Sequence, residues 1–414
     1  MILDFSIGNY RSFNKIQTLD FRATALVSDN KEVDRNNIVE TDGGRLLKTI
    51  GLYGPNGSGK SNLVSGLGIF RTLIERSLES EAVMDFAADP FRLSSEPGED
   101  AGFFQMQLLL DRKKYRYGFT LGPSGSLLQE WLFGTAEKNE TWYFKRTKDR
   151  VEINREWFEE GYGLPIDNLR PNALFLTFVS AYNGPVAQAI RGFIVKNVSI
   201  ENEGSAIQRS RSKSRKRDLG SLQEQHTNEL VKTGQGDLVL SWLKRAGLAY
   251  DDISVTEFIG GYESVLLKKA IFDKNGKVAG STILDLENNE SSGTKKFYYS
   301  IGTLHQLFLQ GGVLILDEID NNFHPSLLQE FVRFFNDPAI NKADAQLLFT
   351  SHDTNLLQPE ILRRDQIYFT EKSITDETTL YSLADLKGIR NNADFARQYL
   401  AGFYGALPIL EKYK

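Results

Sequence analysis

The stretch Gly54-Pro55-Asn56-Gly57-Ser58-Gly59-Lys60-Ser61 fits the pattern GxxxxGK[ST] and separates an apolar run, Thr49 to Tyr53, from an apolar-periodic stretch, Asn62 to Phe70. That order predicts a buried strand, a tight glycine turn and a helix. Backbone N–H groups of such a turn, together with the first helical turn, can surround the α- and β-phosphates of a nucleotide. Lys60 is placed to reach the β- and γ-phosphates, and Ser61 to offer its hydroxyl to Mg²⁺. Gly54, Pro55, Asn56, Gly57, Ser58, Gly59 and Asn62 complete the expected cradle. The structural alternative is a glycine-rich turn that caps a helix.

A chain of 414 residues, 41% of them hydrophobic and 25% charged, can bury a sizeable core, as one large domain with an insertion or as two domains. Without cysteine it forms no disulfide, no thiolate zinc or iron–sulfur site and no thiol nucleophile, and four histidines leave little for an all-histidine metal site. The formal charge of −5 argues against a uniformly basic nucleic-acid coat. An acid, Asp4, stands where a signal peptide carries its basic region, and no apolar run reaches the roughly 18 residues of a membrane span, so the expected location is cytoplasmic.

Along the chain, residues 1–22 alternate as two neighbouring strands, and 28–47 read as a polar loop. From 103 to 153 several short alternating runs predict an antiparallel meander whose aromatics pack in the core and across strands. Residues 156–250 read as mainly helical. Within them Arg209 to Arg217 holds six basic residues in nine, leaving about −11 on the rest of the chain. A solvated loop, a protein partner and a nucleic-acid backbone all fit that segment. Residues 253–286 return to strands around a turn at Asp273 to Lys277.

Gly311 to Leu316 is an apolar run ending in Asp317-Glu318. Downstream of a phosphate loop, the first carboxylate suits Mg²⁺ and the second suits orienting or deprotonating the attacking water, whereas alone the pair would be an acidic helix start. Gln346 to Ser351 is a second buried-strand candidate and leads into His352, whose neutral imidazole suits the attacking water or the γ-phosphate; a helix cap is the alternative. Ser291-Ser292-Gly293-Thr294 opens another helix, and its anion-binding end is surplus to a chain that already has a cradle, which points to a neighbour's site.

Together these motifs resemble the ABC-type ATPase heads of the SMC, RecF and Rad50 superfamily. Within it the likeness is to compact prokaryotic AAA-family ATPases related to the nucleotide domain of the overcoming-lysogenization-defect nucleases, which include subunits of antiphage systems. Phe5 to Phe13 resembles their common start, Gly54 to Ser61 the phosphate loop, Ser291 to Lys295 the signature, Asp317-Glu318 the magnesium and catalytic acids, and Ser351-His352-Asp353 the switch. Arg390 and Phe395 to Pro408 resemble the terminal segment. Ser-Ser-Gly-Thr replaces the common Leu-Ser-Gly-Gly, which argues against a transporter, and His324 stands where many such heads carry a coupling aspartate. No glutamine is marked as a magnesium sensor, although Gln129 lies on a strand candidate.

The resemblance implies an α/β fold: an ABC-type P-loop ATPase head with an antiparallel β subdomain and a mainly helical insertion. Its expected parts are an N-terminal lobe at 1–155, the insertion with its basic loop at 156–250, and a C-terminal lobe at 251–414. It implies ATP and Mg²⁺ as cofactors, with Lys60, Glu318 and His352 catalytic, Ser61 and Asp317 on the metal, and Ser292 and Gly293 completing the site. The implied function is a slow switch that dimerises, or forms a higher homo-oligomer, through its heads and regulates a separate effector, a nuclease, in antiphage defence. A RecF-like DNA-binding repair ATPase is the alternative, with nucleic acid held by 209–217.

Overall fold

Thr49–Tyr53 is buried at every residue because strands flank it on both edges and packed layers cover both faces. In the computed structural model, which describes residues 1–79, 84, 87–93, 101–136, 139–148, 150–201, 226–258, 262–321 and 324–408, this strand lies inside a six-stranded sheet. The order is Val198–Glu201, Val313–Leu316, Gln346–Thr350, Thr49–Tyr53, Ile367–Lys372 and Thr378–Ser382. The first five run parallel and the last is antiparallel to its neighbour. A parallel sheet covered on both faces requires apolar residues without alternation, which is why these strands are such continuous hydrophobic runs.

Successive side chains leave opposite faces of the sheet. Ile50, Leu52, Val313, Ile315 and Leu348 join one core with Leu63, Leu67 and Phe70 of the helix Lys60–Arg76. Tyr53, Leu314, Leu316, Leu347 and Phe349 join the other with Phe297 and Ile301 of Ser292–Gln310 and with Phe331 and Phe335 of Pro325–Asn336.

Beyond the helix Lys60–Arg76 lies a seven-stranded sheet in the order Val151–Ile153, Asn139–Thr147, Leu127–Ala136, Lys113–Leu121, Gly102–Leu110, Ile2–Gly8 and Gln17–Asp20. All its pairings are antiparallel, and Ile2–Gly8 joins the N-terminal strand pair to the meander. The buried Glu130 fastens this sheet to the helix Phe175–Ala181. Its carboxylate accepts from the Phe175 and Leu176 amides at 2.7 and 2.9 Å and from the Tyr117 hydroxyl at 2.9 Å, with Arg146 at 3.6 Å. An acid at that helix start satisfies amides that otherwise have no partner.

Two stretches differ from the sequence expectation. Residues 28–47 form no plain loop: Asn30 caps a helix, Lys31–Asn37, by accepting from the Glu32 amide, and Ile38–Thr41 then pairs with Gly44–Leu47. Asp34 of that helix is anchored by a buried partner more than 300 residues away, Arg363, which no local pattern could announce. Within 156–250, Val198–Glu201 is a strand of the central sheet, and Phe175, Val179 and Ile190 belong to the same core as the helix Lys60–Arg76. Residues 253–286 hold strands around the Asp273 to Lys277 turn, as expected: Asp252–Phe258, Tyr262–Phe272 and Val278–Asp285 pair as a small antiparallel sheet. The basic segment 209–217 lies outside the described residues. Among the described residues no helix is long and apolar enough to cross a membrane.

Candidate active site

In parallel α/β sheets, ligand sites form beyond the carboxyl ends of the strands. Here three neighbouring strands end in Tyr53, Leu316 and Thr350, and the residues that follow are the phosphate loop, Asp317-Glu318 and Ser351-His352. One cavity of about 130 Å³ is lined by Asn56, Gly57, Ser58, Gly59, Lys60, Ser61, Asn62, Glu318 and His352. Segments more than 250 residues apart in the chain thus meet at one place. Gly54 and Pro55 lie just behind this lining, where their carbonyls hold Lys60.

The loop's shape depends on glycine at positions that L side chains reach only with strain. Gly54, Gly57 and Gly59 have φ of 149°, 77° and 114°. A Cβ on Gly54 would lie 2.4 Å from the Thr370 carbonyl oxygen, and one on Gly59 would lie 2.4 Å from Thr378 Oγ1. Hydroxyls from the neighbouring strand pair brace the turn from behind: Ser58 Oγ is 2.6 Å from Thr370 Oγ1, and Thr378 Oγ1 donates to the Ser58 carbonyl at 2.8 Å. Asn62 Nδ2 donates to Ser12 Oγ at 2.7 Å, tying the first helical turn to the N-terminal segment.

Lys60 is 6% exposed, and its ammonium donates to the Gly54 carbonyl at 2.7 Å and the Pro55 carbonyl at 3.2 Å. Burial lowers its pKa to about 8, against the opposing pull of Asp317, Glu318 and Asp320. Burial, and then the Lys60 charge, hold the His352 pKa below the usual imidazole value, so the ring is neutral at pH 7. The His352 amide donates to Asp320 Oδ1 at 3.3 Å. Asp353, one residue on, caps the short turn Thr354–Leu356 in its place.

Asp317 and Glu318 leave their strand together but are held differently. Thr350 Oγ1 donates to Asp317 Oδ1 at 2.6 Å and accepts from the Glu318 amide at 2.7 Å. Glu318 has φ 54°, a left-handed conformation that a non-glycine residue holds only where its surroundings enforce it. Asn321 Nδ2 donates to Glu318 Oε2 at 2.7 Å. The pair does not start a helix; the next one, Pro325–Asn336, is capped by His324, whose Nδ1 accepts from the Ser326 amide at 3.3 Å.

Ser292 and Gly293 do not line this cavity. They open the helix Ser292–Gln310, capped by Ser291, whose hydroxyl accepts from the Thr294 amide at 3.2 Å, and Ser292 is exposed. Gln129 sits inside the seven-stranded sheet opposite Thr120 and Thr147. Sequence reasoning missed Ser12, Thr350, Thr370 and Thr378. Thr350 was readable as a hydroxyl just before Ser351-His352; the others reach the loop only through strand pairing and carry no local signal.

The oxygen donors Ser61 and Asp317 suit a hard divalent cation, and the glycine turn leaves backbone N–H groups free of Cβ crowding on the side of Gly57, where an added Cβ meets nothing within 4 Å. A buried ammonium beside such a turn suits a phosphate chain.

A family model described as "AAA domain, putative AbiEii toxin, Type IV TA system" matches residues 50–173 and 199–358. No curated protein matches the chain. Among solved structures, an SMC head bound to the C-winged helix domain of ScpA is similar at 13% identity, with 92% of this chain and 97% of that one covered and a TM-score of 0.47. The SMC head domain from Thermotoga maritima is similar at 12% identity over 92% and 98%, with a TM-score of 0.43. The Smc head domain with an extended coiled coil bound to the C-terminal domain of ScpA, derived from Pyrococcus furiosus, is similar at 10% identity over 92% and 96%, with a TM-score of 0.45.

Proposed function

Because the chain belongs to the AAA-domain family described as a putative AbiEii toxin of a type IV toxin–antitoxin system, we propose that it is an ATP-binding and ATP-hydrolysing switch that regulates a separate effector in antiphage defence. The observation that carries this reading is the single cavity shared by Asn56 to Asn62, Glu318 and His352. AAA-domain membership supports ATP binding and hydrolysis, and the cavity supplies a group for each step. The backbone of Gly57 to Lys60 and the Lys60 ammonium hold the phosphates, Glu318 takes a proton from the attacking water or orients it, and neutral His352 accepts a hydrogen bond near the γ-phosphate. Ser61 and Asp317 are the residues that would hold Mg²⁺, which when bound neutralises phosphate charge.

Two heads close on nucleotide in this reading. Ser292 is exposed at the start of a long helix and absent from the cavity of its own chain, as a residue that completes a partner's site would be. A two-fold arrangement then completes two sites at once, and γ-phosphate release weakens both. The effector is a separate protein, a nuclease. The RecF-like repair reading rests on 209–217, which lie outside the described residues.

The test is ATP turnover and nucleotide binding by the purified chain and by Lys60→Ala and Glu318→Gln, with neighbouring gene products retained in a parallel preparation. Weak binding in Lys60→Ala, and tight binding without turnover in Glu318→Gln, are expected. Wild-type turnover in both variants overturns the site assignment. Strong stimulation of turnover by DNA, with no co-purified nuclease, shifts the function to repair.

A further inference from the structure

We infer that Thr350 is the positioning residue of the acid pair: its hydroxyl sets which oxygen of Asp317 is free for a ligand and pins the backbone that aims Glu318 into the cavity. This rests on the ATPase reading of the site, but its structural half can be tested without turnover.

Thr350 is fully buried at the end of Gln346–Thr350, beside the strand Val313–Leu316. The two strands pair regularly as far as Leu316 opposite Phe349, and the contact resumes where the Ile319 amide donates to the Thr350 carbonyl at 3.0 Å. Between those points Glu318 turns left-handed, at φ 54°, and its amide leaves the backbone ladder. The Thr350 hydroxyl replaces the missing ladder acceptor, taking the Glu318 amide at 2.7 Å.

A threonine hydroxyl has one proton, and here it goes to Asp317 Oδ1 at 2.6 Å. One lone pair of Oδ1 is therefore engaged, and Oδ2, which carries no such bond, would be the oxygen left to meet a cation. A hydroxyl that accepts from the Glu318 amide and donates to the Asp317 carboxylate fixes that carboxylate relative to the Glu318 backbone, which independent contacts would not do. The left-handed turn is strained in a non-glycine residue, and such turns persist where the surroundings over-determine them. Thr350 and Asn321, which grips Glu318 Oε2, are the groups that do so here. Valine has the shape of threonine without its hydroxyl, and serine keeps the hydroxyl.

Three readouts on the full chain test this. Amide hydrogen exchange without nucleotide or metal should show the Glu318 amide protected in the wild type, at least tenfold less protected in Thr350→Val and largely restored in Thr350→Ser, with Leu347 and Phe349 unchanged. Mn²⁺ binding, followed by electron paramagnetic resonance with a non-hydrolysable ATP analogue, should weaken about 10–100-fold in Thr350→Val and less than about threefold in Thr350→Ser. Turnover should fall by a similar factor at nearly constant KM for ATP, a split that general loosening of the fold would not give. Wild-type Glu318 exchange and Mn²⁺ affinity in Thr350→Val overturn the inference. An unprotected Glu318 amide in the wild type overturns it even if the valine variant does not fold. Exchange and Mn²⁺ shifts in a protein that turns over no ATP leave the positioning role standing and remove the ATPase reading; unchanged turnover and unchanged shifts in an active protein do the reverse.

Discussion

The Lys60 ammonium lies 2.7 Å from the Gly54 carbonyl oxygen, so the first residue of the helix reaches back to the first residue of the turn. Without nucleotide, the loop's own backbone is the partner of the charge that would meet phosphate. Because burial lowers the Lys60 pKa to about 8, the cation prevails at pH 7 and is lost as the pH rises through that value. Phosphate favours the cation. ATP binding should therefore weaken between pH 7 and 9 and take up protons near pH 8, as calorimetry in buffers of different ionisation heat would measure. Lys60→Arg, charged throughout this range, should bind without that uptake. The sign for stability is opposite: the unfolded lysine binds more protons between about pH 8 and 10.4, so this residue's contribution to nucleotide-free stability rises across that window. Proton uptake equal in wild type and Lys60→Arg would refute the assignment.

Gly59→Ala combines a disfavoured backbone, φ 114°, with a Cβ 2.4 Å from Thr378 Oγ1. ATP binding should weaken about 5- to 150-fold, an effect of about 1–3 kcal/mol. Adding Thr378→Ala should relieve the collision but not the torsion, so the double variant should recover only part of the loss. Full recovery in a nucleotide titration would show that the left-handed turn is not required.

Glu318→Gln keeps the size of the side chain and its contact with Asn321 but removes the carboxylate proposed as the base. Turnover should drop by about 10²–10⁴ while ATP stays bound, as a filter-retention assay would show. Rapid release of unhydrolysed ATP would point to a binding role instead.

In the Glu318→Gln background ATP should drive association of two chains, and Ser292→Arg, which adds bulk and charge at an exposed helix start, should prevent it. Sedimentation with and without Mg-ATP measures this. The same ATP-dependent dimer in both proteins would exclude Ser292 from the interface.

Glu130→Ala removes the acceptor of two helix amides and the Tyr117 hydroxyl and leaves buried Arg146 with carbonyl partners alone. A loss of about 3–5 kcal/mol is expected in chemical denaturation, because a buried partner is stranded. A loss below about 1 kcal/mol would mean that the seven-stranded sheet does not depend on this anchor.

Three neighbouring strands of the central sheet were legible from local chemistry. A glycine turn between an apolar run and a periodic stretch has few other conformations open to it, and Leu316 and Thr350 end apolar runs that only a doubly covered parallel sheet can bury. Local patterning also set the meander, because alternation with turn residues specifies neighbouring antiparallel strands. Val198–Glu201 was not legible, since four residues after a helix look the same whether they join a sheet or a loop; the free edge of Val313–Leu316 makes them a strand. Likewise Lys31–Asn37 is too short to be stable as an isolated helix and depends on the bond from Asp34 to Arg363.

The sequence by itself determined the chemical inventory: a phosphate turn, a lysine, two acids and a histidine, each at the end of a segment whose local structure its neighbours dictate. Tertiary structure decided that Glu318 and His352 face the same cavity as Lys60, that Thr350 joins the two acids, and that Ser58, Thr370, Thr378 and Ser12 brace the turn. The reason is range. Torsions and helix starts respond to residues a few positions away, whereas a hydroxyl meets a carboxylate 33 residues distant only when two strands pair, and that pairing is set by burial of the whole sheet.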